Sequence, residues 1–170
     1  MSTVERVDPP FVGDERSQLE QWLDFHRATV HVKCAGLAEE HAWTAPLPSS
    51  PLVSMGGVVS HLMWVERNWF NRVMAGEDRD YADVPWSDDD PDGDFRQVGD
   101  ETLADALARY DAQCAVSREI AAKFDLDATG ERRGKPVSLR WVYLHMIEET
   151  ARHNGHLDAV RELLDGAVGY

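Results

Sequence analysis

The sequence predicts an all-α fold, a four-helix bundle with a long crossover between its second and third helices. Three observations carry that reading. Apolar residues recur at three- and four-residue steps in four separate stretches, the period of a helix with one buried face. No stretch shows the strict apolar–polar alternation of a half-buried strand. Breaker-rich connections separate the stretches, and the one from Gly76 to Val98 is long enough to let neighbouring helices run parallel.

The first helix is expected over about 15–40, with Asp14 as its N-cap and Leu19, Trp22, Leu23, Val30, Cys34 and Leu37 as its apolar stripe. His26 falls on the same stripe. The Pro- and Ser-rich connection 41–53 cannot continue a helix. The second helix is expected over about 54–75, capped by Ser54 and stopped by Gly76, with Val58, His61, Leu62, Val65, Trp69 and Val73 on one face. The third is expected over about 101–124 behind Asp100, with Leu103, Leu107, Tyr110, Cys114, Ser117 and Ala121 as its stripe. Segment 125–137 is another cluster of breakers. The fourth helix is expected over about 138–165, starting at Ser138 and stopped by Gly166. Together these make one domain over residues 1–170, a length that buries a full core without staples.

Composition excludes several classes of partner. The net charge of -14 and pI near 4.7 set the surface against phosphate backbones and anionic lipids, so neither nucleic acid nor a membrane is an expected partner. No run approaches the roughly 18 apolar residues of a membrane span. The opening MSTVERVDPP lacks the apolar core of a secretion signal. Cys34 and Cys114 form no CxxC pair and fall on apolar stripes, which reads as buried thiols in a reducing, cytoplasmic setting. The six tryptophans supply large apolar area.

The fourth helix is where chemistry is expected. Its interior face, marked by Val142, Met146, Val160 and Leu164, also carries His145, Glu149, His153 and, at the edge, His156. Burying polar groups is costly unless they pair or bind a metal. Glu149 and His153 stand four residues apart, so both project from one face and can chelate a single ion, as the HExxH pair does. A third ligand must come from another helix, and His61, mid-helix on an apolar stripe, is the best candidate. His26 is the next, as a pocket-lining group or the partner of a carboxylate. His145, His156 and Arg152 are candidates for the hydrogen bonds that orient ligating side chains. Glu148 points away from Glu149 and is expected to be solvated or paired with Arg152.

A competing metal motif lies in the acidic connection, where Asp88, Asp90, Asp92 and Gly93 resemble the start of an EF-hand loop. The twelfth position is Gly99 rather than Glu, and Pro91 stiffens the middle, so calcium binding is not expected. Trp86 in the same connection reads as a lid packed over its own bundle, with a partner surface as the other reading. No Gly-rich phosphate loop and no GxSxG elbow is present.

The run VVSHLMWVERNWF, followed much later by HMIEETARHNGHLDAVRELLDG, resembles the DinB/YfiT-like superfamily of metalloenzymes over about residues 15–166. Within it the chain is similar to the DUF664 branch and to mycothiol-dependent enzymes such as the maleylpyruvate isomerases. The resemblance implies a four-helix bundle with a crossover between helices two and three. It implies one divalent metal, zinc or nickel, held by His61, Glu149 and His153. Many members have His where this chain has Glu149, whereas the mycothiol-dependent ones have Glu. Homodimers occur in the superfamily, so a homodimer is expected. The second domain of some isomerases is not expected here.

Three protein ligands leave a coordination position open, the mark of a catalytic site. Two histidines and a glutamate suit zinc, with nickel and iron also compatible. The first functional expectation is therefore a metal-dependent thiol S-transferase or thiol-dependent isomerase, acting on a small electrophile with mycothiol or a similar thiol. The alternatives are a metal-dependent hydrolase and a non-catalytic metal- or ligand-binding dimeric bundle.

Overall fold

Each helix begins where a side chain takes up backbone N–H groups that have no partner in the first turn. The computed structural model describes residues 5–77 and 83–168; part of the expected crossover, residues 78–82, lies outside them. Helix α1 spans Glu15–Cys34, and the Asp14 carboxylate accepts from the Ser17 N–H. Helix α2 spans Met55–Arg67 behind Ser54, whose hydroxyl accepts from the Gly57 N–H. Helix α3 spans Leu103–Ala121. Its cap is Thr102 rather than the expected Asp100, because Thr102 and Asp105 satisfy each other's backbone in a capping box. Helix α4 spans Leu139–Asp165, capped by Ser138 and closed by Gly166 in the left-handed conformation.

Two boundaries differ from expectation for physical reasons. Helix α1 stops at Cys34 rather than near residue 40, because Ala35 turns extended and Gly36 adopts a φ of 75°. A short 3-10 turn, Glu39–His41, follows. Beyond α2 the chain stays helical to Met74, close to the expected end, but residues Asn68–Met74 are wound as a π-helix. Such a wider turn re-aims side chains and recurs at functional sites. Here it carries Trp69 and Val73 into the core, each 2% exposed.

The all-α class holds, with one addition. Residues expected to form only a breaker-rich connection make a hairpin, β1 Thr129–Arg132 paired antiparallel with β2 Lys135–Ser138. Its tip is Arg133 and Gly134, with φ of 51° and 75°, the two left-handed residues that a tight hairpin turn requires. Gly130 lies so close to the π-helical segment that a Cβ there would sit 1.9 Å from the Val73 carbonyl oxygen.

Helix α1 packs chiefly on α4, and α2 on α3, with α2 also against α4. One apolar cluster gathers Val30, Met55, Val58, Leu62, Tyr110 and Leu157; another gathers Leu23, Phe70, Val73, Leu139 and Met146. Trp22, expected on the buried stripe, is 44% exposed, because it lies about 100° around the helix from Leu23, whose side the bundle buries. A buried ion pair ties α1 to α2: Arg27 donates from Nε and Nη2 to the two Glu66 oxygens at 2.8 and 2.7 Å. Cys34 and Cys114 are buried free thiols, and burial pushes the Cys34 thiol up to about 12. Among the described residues no helix is long and apolar enough to cross a membrane.

Candidate metal centre

The contact between α2 and α4 brings polar groups from three places in the sequence to one point. His61 comes from the middle of α2, and Glu149 and His153 stand one turn apart on α4. Glu149 Oε1 lies 3.4 Å from Nε2 of His61 and 3.4 Å from Nε2 of His153. One ligating atom from each residue falls within 4.8 Å of the others. Their side chains are only 16%, 12% and 8% exposed, so water does little to screen them.

A fourth residue completes the arrangement. Asp94 Oδ2 is 2.8 Å from His61 Nδ1. A carboxylate can only accept there, so the Nδ1–H of His61 donates and Nε2 is left facing Glu149. Asp94 belongs to the short 3-10 turn Gly93–Phe95 in the long connection. That turn is pressed against its own loop, since a Cβ on Gly93 would lie 2.0 Å from the Pro85 carbonyl oxygen. The next residue, Phe95, stacks on the His61 ring at 4.2 Å between centroids.

Charges follow from these contacts. Hydrogen bonds from His153 and His61 hold the Glu149 carboxyl far below the usual carboxylate range, despite partial burial. Burial works against a charged His61, but its bonds to Asp94 and Glu149 outweigh that, and its pKa rises above the ordinary 6.5. Arg152 reaches Glu149 Oε2 at 3.3 Å and also holds Glu148, so the expectation for Glu148 is met and Arg152 does both things considered for it. His156 Nδ1 is 3.3 Å from His153 Nδ1 and orients that ring; burial lowers its pKa.

The donor set fits a divalent ion. Two imidazole nitrogens and a carboxylate oxygen are what zinc-type ions take, and ligands of one tetrahedral ion stand about 3.3 Å apart. The observed 3.4 Å spacings agree, while being long for hydrogen bonds. The Asp94–His61 bond is the kind of carboxylate–histidine contact that orients metal-ligating imidazoles. A second close group, His145 with Glu148 and Glu149, shares Glu149, and its Glu148 is already held by Arg152.

The acidic run that resembles an EF-hand does not converge. Asp90 is held in a bidentate pair by Arg96 at 2.6 and 2.9 Å, and Asp94 is turned to His61. His26 is not brought to the cluster either: its ring packs on Trp22 and Phe25, and its carbonyl accepts from Asn154. Position 26 sits on the α1–α4 seam, away from the α2–α4 seam that carries the cluster.

Beside the cluster opens a cavity of about 620 Å³, with Asp94, Glu149 and His145 in its wall. His145 stacks on Trp141 at 5.0 Å and meets the edge of Trp69 at 4.7 Å, and burial lowers its pKa. Trp64 and Trp86 also line it and meet edge to face at 5.7 Å. Trp86 therefore covers its own bundle, as the lid reading expects. Sequence reasoning missed Asp94 and Phe95. The only signal for them was a Gly-Asp-Phe turn embedded in a run of other acidic residues.

No curated protein matches the chain. Among protein families, residues 18–166 match the one described as Mycothiol-S-transferase. The match takes in nearly the whole chain, including His61, Asp94, Glu149 and His153, and the resemblance drawn from the two helix motifs points the same way. The chain belongs to the Mycothiol-S-transferase family, a DinB/YfiT-like family.

Proposed function

We propose that the protein is a metal-dependent thiol S-transferase. It holds one divalent ion on His61, Glu149 and His153 and joins mycothiol, or a similar low-molecular-weight thiol, to a small electrophile. The observation that supports this is the convergence of three ligating atoms within 4.8 Å beside a cavity of about 620 Å³. Zinc suits the donors best, with nickel and iron compatible. When bound, the ion stabilises a thiol in its anionic, nucleophilic form at neutral pH.

The chain's own residues do the rest. Asp94 fixes which nitrogen of His61 faces the cluster, and Phe95 fixes the plane of its ring. Glu149, ionised well below neutral pH, supplies the negative charge that draws a cation. His145 stays neutral at pH 7 because burial lowers its pKa, and it lines the cavity. In this reading His145 takes the proton that the thiol gives up; sulfur then bonds to carbon as the electrophile's leaving group departs with the bonding pair or, in a conjugated acceptor, as the π electrons shift off the attacked carbon and take up a proton. Trp64 and Trp86 shield the reaction from water.

The test is conjugation of mycothiol to a fluorogenic bimane electrophile by protein loaded with zinc. The expected result is an acceleration that disappears on chelation and in His153→Ala. Failure to accelerate with any low-molecular-weight thiol, in protein shown to hold metal, overturns the reading.

A further inference from the structure

Two arginines line the same cavity, Arg132 at the end of β1 and Arg133 at the hairpin tip. Among the described residues neither forms a hydrogen bond or an ion pair, in a chain with 31 acidic residues against 17 basic ones. Arginines elsewhere, such as Arg27, Arg96, Arg118 and Arg140, each hold a carboxylate. Leaving two arginines of one cavity wall without a carboxylate is unusual where acids are abundant.

The hairpin that presents them is tied down. Gly130 is pressed on the Val73 carbonyl, and Arg132 lies over the Trp69 ring, 4.2 Å from its centroid. Trp69 in turn meets His145 edge-on and Trp141 at a tilt, and those two rings stack on each other. Trp64 and Trp86 supply further aromatic surface in the cavity wall. Aromatic faces and edges favour flat, conjugated ligands, and a guanidinium fork favours a carboxylate. Asp94 and Glu149, which also line the cavity, both touch His61. They repel an anion, so its charged end must sit at the hairpin and its uncharged end toward His61.

We infer that the electrophile this site takes is a planar, conjugated carboxylate, its anionic group held by Arg132 and Arg133 and its flat body stacked on the cavity's tryptophans. That the ligand is an electrophile rests on the S-transfer reading above. The anion subsite rests on the hairpin alone.

The experiment is titration with trans-cinnamate, followed by tryptophan fluorescence and without any thiol, in metal-loaded protein and again after chelation. Neutral trans-cinnamamide is the comparison ligand. Saturable quenching by cinnamate is expected in both metal states, with the amide at least about tenfold weaker, since a charged hydrogen-bond pair is lost. The double variant Arg132→Gln/Arg133→Gln should weaken cinnamate by about tenfold or more and leave the amide unchanged. Arg132→Lys/Arg133→Lys should recover most of the affinity, and Arg118→Gln/Arg140→Gln, which removes an equal charge away from the cavity, should change nothing. Equal binding of acid and amide, or equal binding by wild type and the glutamine variant, overturns the inference. So does cinnamate binding that vanishes on chelation but ignores the arginines, because the carboxylate would then be going to the metal. No conjugation by a protein that still binds cinnamate through the arginines would sink the transferase reading and leave the anion subsite standing.

Discussion

The Nδ1–H of His61 donates to Oδ2 of Asp94 at 2.8 Å, which turns Nε2 of the same ring toward Glu149. Asp94 is thus an orienting residue for a candidate metal ligand, although it comes from a loop rather than from the bundle. Removing such a partner typically lowers metal affinity by roughly 10–100-fold. Asp94→Ala is expected to weaken zinc binding by that order in competition with a chromophoric chelator, with the helical circular dichroism unchanged. An unaltered affinity would show that His61 needs no help from Asp94.

The two shifted groups of the cluster predict opposite pH dependences. The folded pKa of Glu149 lies below its ordinary 4.5, so its contribution to stability is present above 4.5 and is lost as pH falls through the depressed value. The folded pKa of His61 lies above 6.5, so its contribution is full below 6.5 and is lost as pH rises through the raised value. In metal-free protein, the destabilisation caused by His61→Ala should therefore be larger at pH 5.5 than at pH 9, as read by urea unfolding. A metal ligand must be a neutral imidazole, so zinc affinity should run the other way and rise with pH, by up to about tenfold per unit below the His61 pKa. A flat affinity from pH 6 to 8 would contradict proton competition at His61.

Arg27 and Glu66 form a buried bidentate pair, with side chains 6% and 0% exposed. Leaving one buried charge without its partner costs about 3–5 kcal/mol. Arg27→Ala, which strands the fully buried Glu66 whereas Glu66→Ala would leave Arg27 its bond to Asp24, is expected to destabilise the protein by that amount in urea unfolding. Arg27→Met/Glu66→Leu should be far less costly than either single change, and an additive double variant would deny the coupling.

The contact between Gly130 and the Val73 carbonyl leaves no room for a side chain. Gly130→Ala should push the hairpin off the π-helical segment, at a cost of about 1–3 kcal/mol. It should also weaken any ligand held by Arg132, whose position depends on that contact. Unchanged stability and binding would mean that the hairpin is free to shift.

The helices were legible because each carries a local, physically complete signal: a period of three and four, and caps at Asp14, Ser54, Ser138 and Gly166. His61, Glu149 and His153 were legible because each interrupts an apolar stripe with a group that burial penalises. The hairpin was not, because Thr129–Ser138 has no apolar alternation; its strands are held by a Gly against a carbonyl and by a two-residue left-handed turn. The π-helical turn leaves no mark in periodicity until the packing is known. Asp94 was hidden among neighbours of the same charge, since what singles it out is the fold of the turn on Pro85. His26 misled because a stripe says that a face is buried and not which neighbour buries it.

The central claim is a single metal site shared by α2 and α4. Its most direct test is the metal content of protein purified without added metal or a nickel affinity step, for the wild type, His61→Ala, Glu149→Ala and His153→Ala. About one equivalent in the wild type, lost in each variant while the helical fold persists, is the predicted result. No bound metal in the wild type, even after loading with zinc, would contradict it and leave the three residues as a hydrogen-bonded polar cluster between the helices.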